Sequence, residues 1–255
     1  MVYNFFISLC AGFLSLSVFY LLDFQVGKDE VVSSSFIACT SFFTYAMLKK
    51  QLQLSLLIVL PFSLIFFFFY SFSTSVYGLH LMLLTYLYAS PLKLSSRIQI
   101  YPLRNYPIVK MALLSYVWTS ATLVLPLMMH ECFIPDATMG LLFFERFLFI
   151  AGISLVFDIR DYRSDRRSEL KTIPVLLGIK GTKQASLLLL TAFLFTSFYH
   201  YNGLLWYAFL VTGVVASLSI YNTHLKRGSA YYTIFLDGAM ALHFLLIFLV
   251  RNYPL

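Results

Sequence analysis

The sequence predicts an all-α fold, a polytopic membrane bundle of nine transmembrane helices in a single domain over residues 1–255. Its residues are 60% hydrophobic and only 11% charged, with a mean hydropathy of +0.82. Soluble globular domains are charged at about 25% of positions, so this composition excludes an ordinary soluble domain. Because about 20 apolar residues span a bilayer, the apolar runs are candidate spans: 3–23, 31–48, 53–72, 74–91, 108–130, 138–157, 184–201, 203–221 and 230–250.

The basic residues predict the orientation of these spans. Fifteen of the 18 lysines and arginines fall in four alternate loops, at 49–52, 92–110, 158–183 and 222–229. Basic loops face the cytoplasm, so we expect a multi-pass protein of the cell membrane with a cytoplasmic N-terminus. The net charge of +7 then reflects topology and contact with anionic membrane lipids, and it does not indicate nucleic acid as a partner.

Several familiar classes of site are excluded by their missing motifs. The sequence has no Gly-rich phosphate loop, no HExxH zinc motif and no nucleophile elbow, and its three cysteines have no metal-ligand spacing. We therefore expect any chemistry in the two long cytoplasmic loops, 92–110 and 158–183.

The loop after the sixth span is dense in charge. Seven of the ten residues from 158 to 167 are charged, and Asp158, Asp161 and Asp165 have the spacing of one helical face. Like charges at this spacing destabilise an isolated helix by about 0.2–0.5 kcal/mol per pair, and a divalent cation relieves the repulsion. Carboxylate oxygens suit Mg²⁺, which usually binds through one or two carboxylates and substrate phosphates. These aspartates are the predicted metal ligands and catalytic residues; the alternative is a solvated loop that only holds the topology.

Three further residues are candidates for the same site. Lys93 and Arg104 lie in the loop 92–110, where they are able to contact phosphate. Basic residues at span ends also act as topology signals at the membrane interface, so both interpretations stay open. Asp237 lies in the ninth span, about two turns from its cytoplasmic end, and is a candidate to face the acidic loop. A helix–helix hydrogen bond is its alternative role.

Two stretches of the sequence resemble those of the UbiA superfamily of intramembrane prenyltransferases. The run from Asp158 to Asp165, followed by Lys171-Thr-Ile-Pro174 and Gly178, resembles the second aspartate-rich motif of that family. Tyr88-Ala-Ser-Pro-Leu-Lys93 resembles the Tyr-Pro…Lys segment in the loop after the family's fourth span. Nine spans with the acidic motif after the sixth also match.

The resemblance implies a helical bundle around a cavity that is open to the membrane. Family members hold Mg²⁺ on two aspartate-rich motifs, and the metal holds the diphosphate of a prenyl donor. Nearby basic residues, here Arg160 and Lys171, draw charge onto the leaving diphosphate, and a lipophilic acceptor in the membrane captures the prenyl group. Metal and cationic clamps stabilise such a developing charge.

The sequence departs from the family after the second span, where the first aspartate-rich motif is expected. Residues 44–53 contain no carboxylate, and Lys49 and Lys50 stand there instead. These lysines are candidates to bind the diphosphate directly as point charges. Three functions stay open: a Mg²⁺-dependent prenyltransferase, a non-catalytic member that binds an isoprenoid or quinone lipid or a membrane partner, and a small transporter that uses Asp237 and Glu145.

Overall fold

Eight helices make up most of the residues that the computed structural model describes, which are 2–48, 69–89, 92–93, 99–100 and 102–253. A two-residue antiparallel pair, β1 (Leu92–Lys93) with β2 (Gln99–Ile100), and a 3₁₀ turn at Leu103–Asn105 precede the fourth helix. The all-α prediction is confirmed for this part of the chain. The helices are α1 (Val2–Leu21), α2 (Lys28–Leu48), α3 (Phe72–Ala89), α4 (Pro107–Met129), α5 (Ala137–Arg167), α6 (Ile173–His200), α7 (Gly203–Tyr221) and α8 (Ser229–Asn252).

Six of the described helices, α1 and α4 to α8, are long and apolar enough to cross a membrane. The prediction of a multi-pass helical membrane protein is therefore supported. The other two helices, α2 and α3, overlap the second and fourth predicted spans. The third predicted span, 53–72, lies outside the described residues except for its last four positions, so the total of nine spans stays a prediction.

Local sequence signals determine where several helices begin and end. Asp136 caps α5, because its Oδ1 accepts a hydrogen bond from the Met139 N–H at 2.7 Å. The last helical residue of α5 is Arg167, and Glu169 just beyond it has a left-handed φ of 56°. Pro174 stands in the first turn of α6, where its missing N–H breaks no helical hydrogen bond.

Most helices pack side by side with their neighbours in the chain. From α3 onwards each helix packs against the next, α1 packs against both α2 and α8, and α2 contacts the C-terminal part of α4. Helices α5 and α6 approach each other closely at Gly152, whose carbonyl oxygen accepts a hydrogen bond from the Ser186 hydroxyl. A side chain at Gly152 would collide with Leu190. The core of the bundle is built from apolar side chains such as Leu14 and Phe149.

A buried arginine joins three of these helices. Arg146 of α5 donates hydrogen bonds to the carbonyl oxygens of Leu14 at 2.9 Å and Thr122 at 2.7 Å, and to the Ser17 hydroxyl at 2.8 Å. Four residues beyond Thr122 stands Pro126, which has no N–H to donate in the usual helical pattern. The guanidinium thus supplies donors to α1 and α4 where the membrane interior provides no water.

We expect Arg146→Met to lower the free energy of unfolding by about 1–3 kcal/mol, because it leaves buried acceptors without a donor. Titration of the purified protein from mild detergent into denaturing detergent, followed by far-UV circular dichroism, measures this change. Arg163→Met, at an exposed position on the same helix, is the control and should change the value by less than about 0.5 kcal/mol. Equal effects of the two substitutions would contradict the bridging role of Arg146.

Candidate functional site

A cavity of about 300 Å³ lies between six of the helices, α1 to α5 and α8. Its walls come from the C-terminal parts of α2, α3 and α5 and from the N-terminal parts of α1, α4 and α8, so it is situated toward one end of the bundle. Five charged side chains line it: Lys110, Asp158, Arg160, Asp161 and Asp237. Such a concentration of charge inside an apolar bundle marks the cavity as the candidate site.

A partly buried ion pair holds one of the predicted aspartates. The Lys110 ammonium donates to Oδ1 of Asp158 at 2.5 Å, and the two side chains are 22% and 11% exposed. Lys110 lies in the first turn of α4, where a cation opposes the positive end of the helix dipole. The Asp158 carboxylate offsets that unfavourable placement, and the pair connects α4 to α5 at the cavity wall.

A second cation holds the next aspartate along α5. The guanidinium of Arg160 donates to both carboxylate oxygens of Asp161, with Nε at 3.0 Å and Nη2 at 2.9 Å. Arg160 also lies over the ring of Phe157, with Cζ 5.9 Å from the ring centre. The repulsion expected between Asp158 and Asp161 is therefore relieved in the structure by two side-chain cations of the chain itself.

The structure brings together four of the residues that the sequence predicted for the site. Asp158 and Asp161 stand on successive turns of α5 and both line the cavity, together with Arg160. Asp237 lines the same cavity from α8, a placement that its position in the ninth span allowed as one of two interpretations. Spacing accounts for only two of the four, Asp158 and Asp161, because residues three apart share a helical face.

The other predicted residues lie elsewhere or outside the described chain. Asp165 is on α5 beyond Asp161 and is not among the side chains that line the cavity in the described part. Arg104 and Lys171 are exposed, the first in the 3₁₀ turn and the second beyond the end of α5. The predictions for the remaining lysines are untested, because only the backbone of Lys93 is described and Lys49 and Lys50 lie outside the described residues.

Lys110 is the side chain at this site that the sequence analysis misses. It counts there only as one of the basic residues of a cytoplasmic loop. A signal was present, because a lysine three residues after Pro107 falls in the first turn of a helix that begins at that proline. A cation in that position requires an anionic partner more than most lysines do.

Aromatic side chains form much of the remaining wall. Tyr45, Tyr88, Trp118 and Phe157 all line the cavity. The rings of Tyr45 and Trp118 lie 6.4 Å apart and are tilted to one another. Aromatic faces carry negative electrostatic potential and attract cations, so the cavity combines a charged region with a wall suited to an apolar or cationic ligand.

A family model matches residues 44–231, and its description is the UbiA prenyltransferase family. The chain belongs to this family. The matched segment begins near the end of α2 and ends at the start of α8, so it contains Lys110 and the aspartates of α5 but not Asp237. No curated protein and no solved structure matches the chain.

The family implies a magnesium site, and the side chains at the cavity provide only some of the ligands that such a site needs. Within the described residues, no three His, Cys, Asp or Glu side chains are grouped so that they could hold a metal ion. Asp158 and Asp161 nevertheless both line the cavity, and Mg²⁺ commonly binds through one or two carboxylates together with substrate phosphates. The residues thus fit a magnesium ion shared with a phosphate ligand, and they do not fit one held by the protein alone.

A double-mutant cycle should detect the link between α4 and α5. We expect Lys110→Met and Asp158→Asn to destabilise the protein non-additively, with a coupling free energy of about 0.5–3 kcal/mol, because each substitution alone leaves a partly buried partner unpaired. Unfolding of the single and double variants in detergent gives the value. The control cycle combines Asp158→Asn with Lys226→Met, because Lys226 is an exposed lysine. The effects of these two substitutions on stability should be additive. A coupling of zero in both cycles would rule out the stabilising role of the pair.

Proposed function

We propose that this UbiA family member transfers a prenyl group from a prenyl diphosphate to a lipophilic acceptor in the membrane. The observation that supports this proposal is that one cavity of the helical bundle is lined by Asp158 and Asp161, by the cations Lys110 and Arg160, and by aromatic side chains. A diphosphate requires the charged groups, whereas an isoprenoid chain requires the apolar and aromatic wall. The cavity offers both within about 300 Å³, at the lower end of the usual volume of ligand sites.

The diphosphate end of the donor belongs, in this proposal, at the wall formed by α4 and α5. Lys110 and Arg160 place positive charge there, and both already interact with carboxylates that keep them oriented. Asp158 and Asp161 would hold a magnesium ion jointly with the diphosphate, and that ion would supply further positive charge to the leaving group. In this arrangement Lys110 stabilises the charge that develops on the diphosphate as it departs.

The transfer breaks the bond between the first carbon of the prenyl chain and the diphosphate oxygen, and the electron pair leaves with the diphosphate. The allylic carbon becomes positive, and the faces of Tyr45, Trp118 and Phe157 are available to stabilise it. A nucleophilic atom of the acceptor then forms the new bond and the acceptor loses a proton. The membrane-facing bundle excludes most water, which would otherwise capture the cation.

We further propose nine spans with the N-terminus and the basic loops on the cytoplasmic side of the cell membrane. The start of α3 lies at the end of α4, because the Thr74 hydroxyl donates to the Met128 carbonyl oxygen at 3.1 Å. Ser33, near the start of α2, contacts His130 at 3.0 Å at the same end. Helices α2 and α3 therefore run parallel, so the end of α2 and the start of α3 lie at opposite ends of the bundle. This arrangement of the two described helices supports the third predicted span.

Reporter fusions test the topology. In a bacterial host, alkaline phosphatase fused after residue 255 should be active, because nine spans place the C-terminus outside the cytoplasm, whereas a fusion after residue 170 should be inactive. Green fluorescent protein at the same two points should give the opposite pattern. An inactive C-terminal phosphatase with a fluorescent C-terminal fusion would contradict the nine-span topology.

The donor site is tested by binding of geranylgeranyl diphosphate to the purified protein in detergent, with Mg²⁺ or with a chelator. We expect Mg²⁺-dependent binding that Asp158→Asn/Asp161→Asn weakens by about tenfold or more, because charge-assisted contacts to phosphate are lost. The matched control is Glu169→Gln, an exposed carboxylate of the same segment, which should bind normally. Equal binding by all three proteins would show that these aspartates do not hold the donor.

A non-catalytic member of the family is the second candidate function. It is favoured by the pairing of Asp158 and Asp161 with side-chain cations, and by the absence of any carboxylate from residues 44–53. This candidate predicts donor binding without release of diphosphate under any condition. The prenyltransferase predicts diphosphate release that depends on an acceptor, so one assay on the wild-type protein separates the two.

A further inference from the structure

Asp237 is the one charged side chain of the cavity wall that no ion pair accounts for in the described chain. Its residue is 5% exposed, and its Oδ2 atom has no hydrogen-bond partner among the described residues. A buried carboxyl oxygen without a donor is energetically costly, and ionisable groups kept inside membrane bundles usually serve a function. Because Asp237 lies in the cavity wall, a ligand in the cavity could supply the missing donor.

The backbone around Asp237 is also unusual. Residues Tyr232–Asp237 form a π-helical turn within α8, and such turns are frequent at functional sites. Thr233 and Asp237, four residues apart, both line the cavity. The segment thus directs two polar side chains of one helix into the same space.

The surroundings of Asp237 show which substrate it suits. Asp158 and Asp161 each have a cation, whereas Asp237 is in no ion pair within the described chain, and both cations of the cavity wall, Lys110 and Arg160, are already bound to the other two aspartates. In the proposed function, Asp158 and Asp161 already hold magnesium with the diphosphate, and a further carboxylate that does not bind the metal is repulsive beside that anion. A neutral ligand with a hydrogen-bond donor has no such repulsion, so Asp237 suits the acceptor and not the donor.

We propose that Asp237 binds a hydroxyl or amino group of the acceptor and receives the proton that the acceptor loses. This inference rests on the proposed prenyl transfer. The bond between the prenyl carbon and the diphosphate breaks, and its electron pair leaves on the diphosphate. An electron pair of the acceptor forms the new bond to the prenyl carbon. The proton released from the acceptor then passes to the Asp237 carboxylate, which balances the step.

Trp118 provides a direct readout of ligand binding, because it lines the cavity and the chain has only two tryptophans. In a Trp206→Phe background, its fluorescence reports on the cavity alone. The probes are 4-nonylphenol, which has a hydroxyl donor, and its methyl ether, which has none. We expect the phenol to bind about tenfold more tightly than the ether or better, since a site built around a hydroxyl rejects the analogue that lacks it.

Variants of Asp237 then test whether this side chain causes the preference for the phenol over its methyl ether. Asp237→Leu should bind the two probes equally, within about twofold, whereas Asp237→Asn retains an acceptor oxygen and should keep the preference. The matched control is Glu145→Gln, because Glu145 is another buried carboxyl of the bundle but is not among the described residues lining the cavity. A preference that survives in Asp237→Leu, or that is lost equally in Glu145→Gln, would overturn the assignment.

The proton-accepting role has its own readout. With geranylgeranyl diphosphate and 4-nonylphenol, Asp237→Asn should form prenylated product at least about a hundredfold more slowly, because an amide cannot take up the proton. Product formation by Asp237→Asn at the wild-type rate would reject this role. This test does not require that Asp237→Leu folds. Probe binding is measured without the prenyl donor, so the two proposals can fail separately. If the protein prefers the phenol but never binds geranylgeranyl diphosphate, the proposed transfer is refuted and the acceptor-binding role of Asp237 remains.

Discussion

A charged side chain inside a membrane-embedded bundle needs a partner, because neither water nor lipid is there to stabilise it. This constraint shapes the described structure at two levels. Arg146 satisfies it by donating to α1 and α4, and so joins three helices in the core. Lys110 and Asp158 satisfy it by pairing with each other across α4 and α5, and so place charge at the wall of the cavity. One physical requirement thereby governs both the packing and the site.

The same constraint divides the cavity into two regions. At the wall formed by α4 and α5, each aspartate has a cation, and the cluster is close to neutral. A diphosphate with a magnesium ion adds nearly balanced charge to such a cluster and preserves that balance. At the α8 wall, Asp237 keeps an oxygen without a hydrogen-bond donor in the described chain. The two substrates of a transfer reaction differ in the same way, since the donor is anionic and the acceptor carries a proton to be removed.

The departure from the family at residues 44–53 acquires a physical meaning in this arrangement. Carboxylates would normally hold metal there, and the chain has none. Lys110 and Arg160 supply positive charge from the protein at the aspartates that remain. In the proposed transfer, these two side chains would share with the metal ion the neutralisation of the diphosphate.

The sequence alone predicted part of the site because some of its signals are local. Asp158 and Asp161 are three positions apart on a helix, and that spacing determines their common face wherever the helix packs. Asp165, four positions after Asp161, falls on the same face, but it lies further along α5, past the side chains that line the described cavity. Spacing shows which side chains share a face, and it does not show how far along the helix a cavity extends.

Composition, hydropathy and helical period by themselves predicted a helical membrane protein, since each depends only on residues near one another in the chain. The resemblance to the UbiA family rested on a local motif, the acidic run and the residues that follow it at 158–178. Only the tertiary structure decided which charges meet. Lys110 and Asp158 are 48 positions apart, and Asp237 comes from a different helix beyond the family match. Contacts of this kind depend on how the helices pack. Because unpaired charges are costly inside a membrane, packing also decides which charged side chains are paired and which can bind a ligand.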